Sequence, residues 1–586
     1  MMIKSWAKIE KHGYVLFFIL AVGFVLRALG VEFGKPFRYH PDELKMIYQA
    51  GNLLKFQEWS RETVFLIGVY PPLFTYVLAF ASGVYSAMLL VLGVLPSVDA
   101  ITEFYYQQPF VYHLIARWIS VISGTLSLWL VYKIGEKLYS RFIGLLAAAF
   151  LSASFLHVRN SHFGVVDIFV SMLVLFSFYF SVQIFRDGRT RYYILAAIFA
   201  AFSIAGKWNT GLILMPILLS HFLREKSRPH VSFFKIFFHR NLMVALIALS
   251  VTFLLACPMP LVDFKEFFGG IIGTAKFQQS GVKKLGAGGD FWSYFTGDHS
   301  PGYGFFYDNS FPASMGWFPT IFFSLAILYL LWRRKPQDLL LLIFPVIMYL
   351  IIGPMQYKAM RHLLPLVPFL LLSCAVLIDE LKTIIPNLRL YKMLLALFCV
   401  LMIVPTGVKA LRYDLALRQV DTRTIMKDWI EIHIPNHAKI GIDEFGPALL
   451  SIHDLNYQLI AKSADYKRSY DVHGLVPGMF VHGQKRTSAY DPSRYIWDNH
   501  IDHVIISSFT QERLTWEQTQ RKHPLITQQR QDFMVWLEKN AVPLFSAAPQ
   551  NDFHISPRLV FYRIKSDAAP PDDKPCTNLE TTRTLK

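Results

Sequence analysis

Residues 167–184 read DIFVSMLVLFSFYFSVQI, with one charged side chain, Asp167, at the start. Wound as a helix, a run of this length covers most of the ~30 Å hydrocarbon thickness of a bilayer. It has no polar stripe to turn toward water, so it does not fit the amphipathic helix of a soluble protein. Comparable runs flank it near 14–31, 113–134, 142–157, 192–206, 209–223, 241–258, 317–333, 338–353, 361–379 and 391–408. They predict a polytopic α-helical membrane protein of about 11–13 spans.

The composition agrees. Of 586 residues, 53% are apolar and 17% charged, against about 45–50% and about 25% in soluble domains. A soluble enzyme is excluded. Lys and Arg total 58 against 41 acidic residues, a formal charge of +17. A nucleic-acid partner would need a basic, aromatic domain, and none is visible. The cations instead fill short loops between apolar runs, as the positive-inside rule requires. Lys4, Lys8 and Lys11 precede the first run, no small-x-small cleavage site follows, and Arg27 sits inside its end, which predicts an uncleaved span. Cys257, Cys374, Cys399 and Cys576 form no CxxC pair, so neither zinc nor a disulfide framework is implied.

With the N-terminus cytoplasmic, five loops place their cations inside. They carry Lys133, Lys137 and Arg141; Arg186, Arg189 and Arg191; Arg224, Lys226 and Arg228; Arg333, Arg334 and Lys335; and Lys382, Arg389 and Lys392. Residues 73–95 are apolar enough to cross, yet a crossing there would invert every later loop. The segment is therefore expected to lie along the surface or re-enter, unless 96–112 hides a second crossing.

A membrane module over 1–408 then has outer loops at 32–72 and 259–316. The second loop is rich in glycine (Gly269-Gly270, Gly286 to Gly289) and in aromatics (Trp292, Tyr294, Phe295, Tyr303, Phe305, Phe306, Tyr307), and is expected to form an interfacial belt and lid. From 409 the chain becomes more polar. Asp421 can cap a helix with Ile425, Trp429 and Ile432 on one face, and Pro435 ends it. Strand-like runs at 439–442, 503–506 and 559–562 predict a C-terminal extracytoplasmic α/β domain over 409–565, and 566–586 a disordered tail. His433, His437, His453 and His473 share no metal-ligand spacing and are expected to be scattered surface residues.

Ionisable groups beside spans mark function. They occur at His40-Pro41-Asp42-Glu43, at Arg159-Asn160-Ser161-His162 through Asp167, at Lys207-Trp208-Asn209, and at Lys358, Arg361 and His362. The topology, fixed by other residues, puts all four on the outer side. A pair of carboxylates there can take a proton from an incoming hydroxyl or amine. The cations can hold a phosphate and stabilise the charge that grows on it as it leaves. That chemistry at a lipid boundary suits a lipid phosphate-sugar donor. No nucleotide-binding P-loop or GxGxxG is evident. Each group also has a plainer reading: Asp42 and Glu43 as a solvated helix end, Asp167 as a helix cap, Arg159 and Lys207 as snorkelling cations, and Arg361 as a head-group anchor.

These motifs resemble, in order and spacing, the glycosyltransferase-C superfamily, near the protein O-mannosyltransferases and the lipid A aminoarabinose transferases. The likeness rests on Asp42-Glu43, the Tyr70-Pro71-Pro72-Leu73 stretch, Gly144 to Ala149 leading to Arg159, Asp167, Ala205-Gly206-Lys207-Trp208-Asn209-Thr210-Gly211, and Lys358 to Pro365. It covers roughly 14–408, and the C-terminal domain fits the same pattern. The resemblance implies an integral membrane transferase that moves a hexosyl or pentosyl group from a polyprenyl-phosphate carrier, with inversion, to a lipid, glycan or protein acceptor at the extracytoplasmic face. It implies Asp42 as base, with Glu43 beside it in a positioning role. Lys207, Arg361 and Arg159 are expected at the donor phosphate, and Asp167, His362 and Lys358 elsewhere in the site. His362 departs from relatives, which often carry Tyr there. The family is divided over metals, so no cofactor is assigned, although a divalent metal is compatible. The bacterial inner membrane is the expected location, as no ER-retention signal ends the chain. A transporter or flippase of lipid-linked sugars, using the same cations without a base, is one alternative. A non-catalytic membrane scaffold is the other.

Overall fold

The computed structural model describes residues 2–54, 71–226, 236–280, 289–296, 310–475, 485–486, 491–515, 520–521, 524–551, 553 and 555–571. Its helices follow the apolar runs. In chain order the long ones are α1 (Met2–Ala28), α2 (Pro41–Leu54), α3 (Leu73–Val91), α4 (Ala100–Gln107), α5 (Pro109–Leu138), α6 (Arg141–Ala153), α7 (Phe155–Ser161), α8 (Val166–Asp187), α9 (Thr190–Gly206), α10 (Leu214–Lys226), α11 (Arg240–Ala256), α12 (Phe264–Ser280), α13 (Trp317–Arg333), α14 (Pro336–Ile352), α15 (Val367–Ile384) and α16 (Leu388–Leu417). Among the described residues, five helices are long and apolar enough to cross a membrane, or six if the bent pair α6–α7 is one span. Shorter apolar helices cover Gly13–Ala28, Thr190–Gly206, Arg240–Ala256, Trp317–Arg333 and Pro336–Ile352. Each of the eleven expected spans is helical, and the fold is a polytopic helical membrane fold with a small C-terminal sheet domain.

Small residues let the helices close on one another, since lipid supplies little hydrophobic drive between them. A Cβ on Gly135 of α5 would lie 2.6 Å from Cα of Gly144 in α6, so this crossing admits only glycine. Helices α6 and α7 bend by 61° at Ser154. The break leaves carbonyls at the end of α6 without helical partners. Arg27, wholly buried, completes them: it donates to Leu151 O at 3.1 Å and Ser152 O at 3.2 Å, as well as to Gly23 O at 2.7 Å.

Cations gather at one end of the bundle. Arg186 donates to Lys137 O at 2.7 Å and Arg224 to Arg186 O at 2.7 Å. Arg333 bonds Asp338 and Glu380, and Tyr139 donates to Asp338 at 2.8 Å. The opposite, upper end carries the C-terminal domain. Helix α3 starts where Phe74 meets Phe169 at 5.4 Å, beside Asp167, and its far part reaches Tyr112 through Ser86 at 3.4 Å. Asp167 and Tyr112 both belong to the upper ends of their helices, so α3 lies across that end. Phe80, Val84, Met88 and Val91 form its exposed apolar side.

Helix α16 runs unbroken to Leu417, so the expected domain boundary at 409 falls inside it. After the turn, Asp421 caps α17 (Thr422–His433) by accepting from Arg423 N at 2.9 Å. The sheet contains β1 (Lys439–Ile442), β2 (Leu450–Ser451), β3 (Ser469–Gly474), β4 (Lys485–Arg486), β5 (His503–Ser507), β6 (Ala541–Ala547) and β7 (Leu559–Ile564). Its order is β2-β3-β1-β5-β7-β6, with β4 on β3. β1 pairs in parallel with β3 and β5, and β7 runs antiparallel between β5 and β6. Pro543 sits at a register shift in edge strand β6, where a missing N–H costs little. Helices α18 (Pro492–Asp498), α19 (Ser508–Thr515) and α20 (Pro524–Asn540) complete the domain.

Two expectations change. His453 and His473 are not scattered: both meet Asp471, at 2.7 and 3.0 Å, and His473 is buried against Tyr495. Alternation along β3 points residues 471 and 473 to one side, a period that a helix-based reading of histidine spacing does not see. In the long loop, Tyr294 and Phe295 pack inward, Phe295 against Phe311 at 5.4 Å and Tyr349 at 5.6 Å, while Trp292 is exposed. Tyr70, Arg228, Gly286 to Gly288, Tyr303, Phe305 to Tyr307, Cys576 and the tail from 572 lie outside the described residues.

Candidate active site

Four segments far apart in the chain meet at the upper end. Pro41 opens α2 at the first helical position, where its missing N–H is no loss, and Asp42 follows in the first turn. The Asp42 carboxylate accepts from Nη1 of Arg361, 319 positions away. Arg361 lies in the 3-10 turn Met360–Leu366 that leads into α15. Asp167, in the first turn of α8, accepts from Lys207 Nζ at 2.6 Å. Lys207 stands in extended backbone between α9 and the 3-10 turn Trp208–Ile213, so its side chain leaves the helix end and reaches α8.

The two pairs form one cluster. Arg361 lies within electrostatic range of Asp42, Tyr357 and Asp167. Side-chain exposure is 31% for Asp42, 15% for Arg361, 19% for Lys207 and 6% for Asp167. The cluster is thus sheltered but open on the Asp42 side.

Glu43 has a different environment. Its Oε1 accepts from Arg117 Nε at 2.9 Å and from the Gly164 backbone N–H at 2.7 Å. Its Oε2 accepts from Arg117 Nη2 at 2.9 Å and lies 3.3 Å from His113 Nδ1. Arg117 also donates to Val31 O at 2.9 Å and Phe33 O at 2.6 Å. A Cβ at 164 would meet Ala116 Cβ at 2.5 Å, so only glycine lets this backbone approach. Burial alone would push the Glu43 carboxyl up. The Arg117 guanidinium and the hydrogen bonds from His113 and Arg117 outweigh it and hold the group well below the usual carboxylate range. With both oxygens engaged and no exposed surface, Glu43 joins α2, α5, the 31–33 turn and the segment leading to Asp167. It is a structural pivot rather than a group that could meet a substrate.

His40 is buried and stacks on Phe163 at 4.4 Å. Burial lowers its imidazole pKa, opposed by the Glu43 and Asp42 carboxylates. Arg159 is buried in α7 with its guanidinium over Phe155 at 5.6 Å. Lys358 donates to Gly353 O and lies over the Tyr294 ring at 4.7 Å, which ties it to the 289–296 segment. His362 packs on the Tyr357 ring at 5.5 Å. These contacts of Arg159 and Lys358 are with groups other than the two pairs, and His362 adjoins Arg361 in the 3-10 turn. Among the described residues no group of three His, Cys, Asp or Glu side chains is placed to hold a metal ion.

Arg117, His113, Gly164 and Tyr357 were not foreseen. For the first two a signal existed: two ionisable side chains four apart at the start of an apolar run share a helix face and are rarely idle. Gly164 and Tyr357 carry no such mark.

Residues 111–254 match the family described as Dolichyl-phosphate-mannose-protein mannosyltransferase. The match includes Asp167 and Lys207 and excludes Asp42 and Arg361. No curated protein matches the chain in sequence. Among solved structures, the oligosaccharyltransferase of Archaeoglobus fulgidus tethered to an acceptor peptide aligns over 96% of this chain and 75% of its own, with TM-score 0.50 and 14% identity. ArnT from Cupriavidus metallidurans in the apo state aligns over 98% and 100%, with TM-score 0.50 and 12% identity. The likeness to glycosyltransferase-C superfamily membrane enzymes holds at the level of the fold.

Proposed function

We propose that this chain, sharing its fold with those membrane transferases, moves a sugar from a polyprenyl-phosphate donor to an acceptor at the extracytoplasmic face of a bacterial inner membrane. The observation that carries the reading is the meeting of Asp42–Arg361 with Asp167–Lys207. One part-exposed carboxylate stands beside two cations at the upper end of a helical bundle. The cation-rich loops lie at the other end, which the positive-inside rule makes cytosolic.

The Asp42 carboxylate takes the proton of the acceptor hydroxyl or amine. The acceptor atom attacks the anomeric carbon from the side opposite the phosphate, so the configuration inverts. The bond from that carbon to the phosphate oxygen breaks, and the bonding pair leaves on the lipid phosphate. Arg361 and Lys207 stabilise that growing charge; the planar fork of Arg361 suits a phosphate. In the ligand-free protein each cation is held by a carboxylate, so the arriving phosphate competes with Asp42 for Arg361. Binding the donor thereby releases the base.

The test is Asp42→Asn in purified protein with a polyprenyl-phosphate sugar. Transfer is expected to fall at least 100-fold, the scale of a lost general base, while the donor still binds. Full transfer by this variant would overturn the reading, and donor-dependent lipid translocation without transfer would favour a flippase.

A further inference from the structure

The C-terminal domain grips the chain immediately before Asp42. The rings of Phe37 and Tyr39, 6.1 Å apart, both face the domain. Arg423 and Lys427, four apart on α17, share one helix face and meet those rings in order. The Arg423 guanidinium lies over the Tyr39 ring at 4.0 Å. Lys427 Nζ lies 4.9 Å from the Phe37 ring and 5.2 Å from that of Tyr466. Each cation is oriented by its own acid. Arg423 forks on Asp421 at 2.7 and 2.6 Å, and Lys427 bonds Glu431 at 2.8 Å. Tyr39 Oη lies 2.9 Å from Thr424 Oγ1. Phe37, Tyr39, Asp421, Arg423, Lys427 and Glu431 are all buried, and Tyr466 is half-buried.

Apolar side chains would seal such an interface at lower desolvation cost. What the forked, stacked arrangement adds is register, because a ring under a guanidinium has one favoured place. The register passes on. His40 precedes a proline and is confined to extended backbone, Pro41 has a fixed φ, and Asp42 is the next residue. Beyond it, Glu43 is pinned by Arg117. Asp42 is therefore held between two anchors, one in the membrane module and one in the C-terminal domain.

We propose that Arg423 and Lys427, acting through Tyr39 and Phe37, are positioning residues that set the place of Asp42 for the transfer reaction. This rests on the proposed function only for the turnover readout; the placement of α2 is measured without it. In the full-length protein, Tyr39→Leu and Arg423→Met should raise hydrogen exchange in peptides spanning 38–48. Tyr39→Phe, which keeps the ring, should exchange like the natural protein. In transfer assays the first two variants should lose about tenfold in kcat, the scale of a small displacement of a reacting group. Their donor KM should change less than twofold, and Tyr39→Phe should retain kcat within twofold. Lys427→Met gives the same comparison at the Phe37 rung should either of the others fail to fold. Unchanged exchange over 38–48 in the folded variants overturns the inference. So does a parallel loss of kcat and donor affinity. If the natural protein transfers nothing from a polyprenyl-phosphate sugar while exchange still rises as stated, the proposed reaction fails and the positioning of α2 stands.

Discussion

Asp42 and Glu43 are adjacent in the chain, and each is paired with an arginine. The Glu43–Arg117 pair has no exposed side-chain surface on either partner, and each Glu43 oxygen has two partners. The Asp42–Arg361 pair keeps 31% of one side chain and 15% of the other in reach of solvent. Saturation and burial, rather than residue type, separate them. A carboxylate with every lone pair engaged can hold backbone in place but cannot accept a substrate's proton. One that gives up its partner to an incoming anion can do so.

The strongest way to break this contrast is to remove one partner of the closed pair. Arg117→Met leaves Glu43 buried and unpaired, which costs about 3–5 kcal/mol. The expected outcome is a large fall in melting temperature or no folded protein in detergent, whatever ligand is present. The matching change in the open pair, Arg361→Met, should leave the unfolding free energy of the ligand-free protein within about 1 kcal/mol of the natural one, because partly exposed pairs contribute little. Equal destabilisation by both variants would erase the distinction.

The open pair should show itself in binding instead. Arg361→Lys keeps a charge and loses the fork, so affinity for a polyprenyl phosphate should drop about tenfold, or ~1.4 kcal/mol. Lys207→Met should weaken the same ligand by a similar factor. Asp42→Asn removes the carboxylate that competes for Arg361, and affinity should rise several-fold rather than fall. Titration of each variant with the lipid phosphate checks all three. Weaker binding by Asp42→Asn would mean that Asp42 helps to hold the donor and is not displaced by it.

The contrast also explains what could be read from the chain alone. Spans and charged loops were legible because hydropathy and the positive-inside rule act locally along the sequence. The four polar segments were legible because charges beside apolar runs are costly and stand out. The division of labour between residues 42 and 43 was not. It depends on Gly164 and Arg117, which reach Glu43 only after α5 and the segment before α8 have packed. The boundary at 409 was misplaced because polarity rises before α16 ends; its last two turns bury Tyr413 and Asp414 instead of opening into a loop. β3 escaped notice because SYDVHG lacks an apolar pattern, yet its neighbours bury it.

The gentlest probe of the closed pair is acid. Glu43 has its folded pKa held below the unfolded value of about 4.3. Its stabilisation is therefore fully present well above that value, declines as pH drops below it, and is wholly lost only once pH has fallen through the folded one. Compared with Glu43→Gln, the natural protein should keep a constant stability advantage from pH 7 to about 5.5. The gap should narrow by about 0.4 kcal/mol at pH 4.3, where half of the unfolded chains bind the proton, and by about 1.4 kcal/mol one unit lower. Paired melting curves across that range measure the difference and cancel the other acids, which titrate alike in both proteins. A gap that stays flat down to about pH 3.3 would place the Glu43 carboxyl in the ordinary range, and one that widens as pH falls from 7 to about 5.5 would place it above that range. The Arg117 fork would then not be holding the charge, and Glu43 would join Asp42 as a group free to exchange protons.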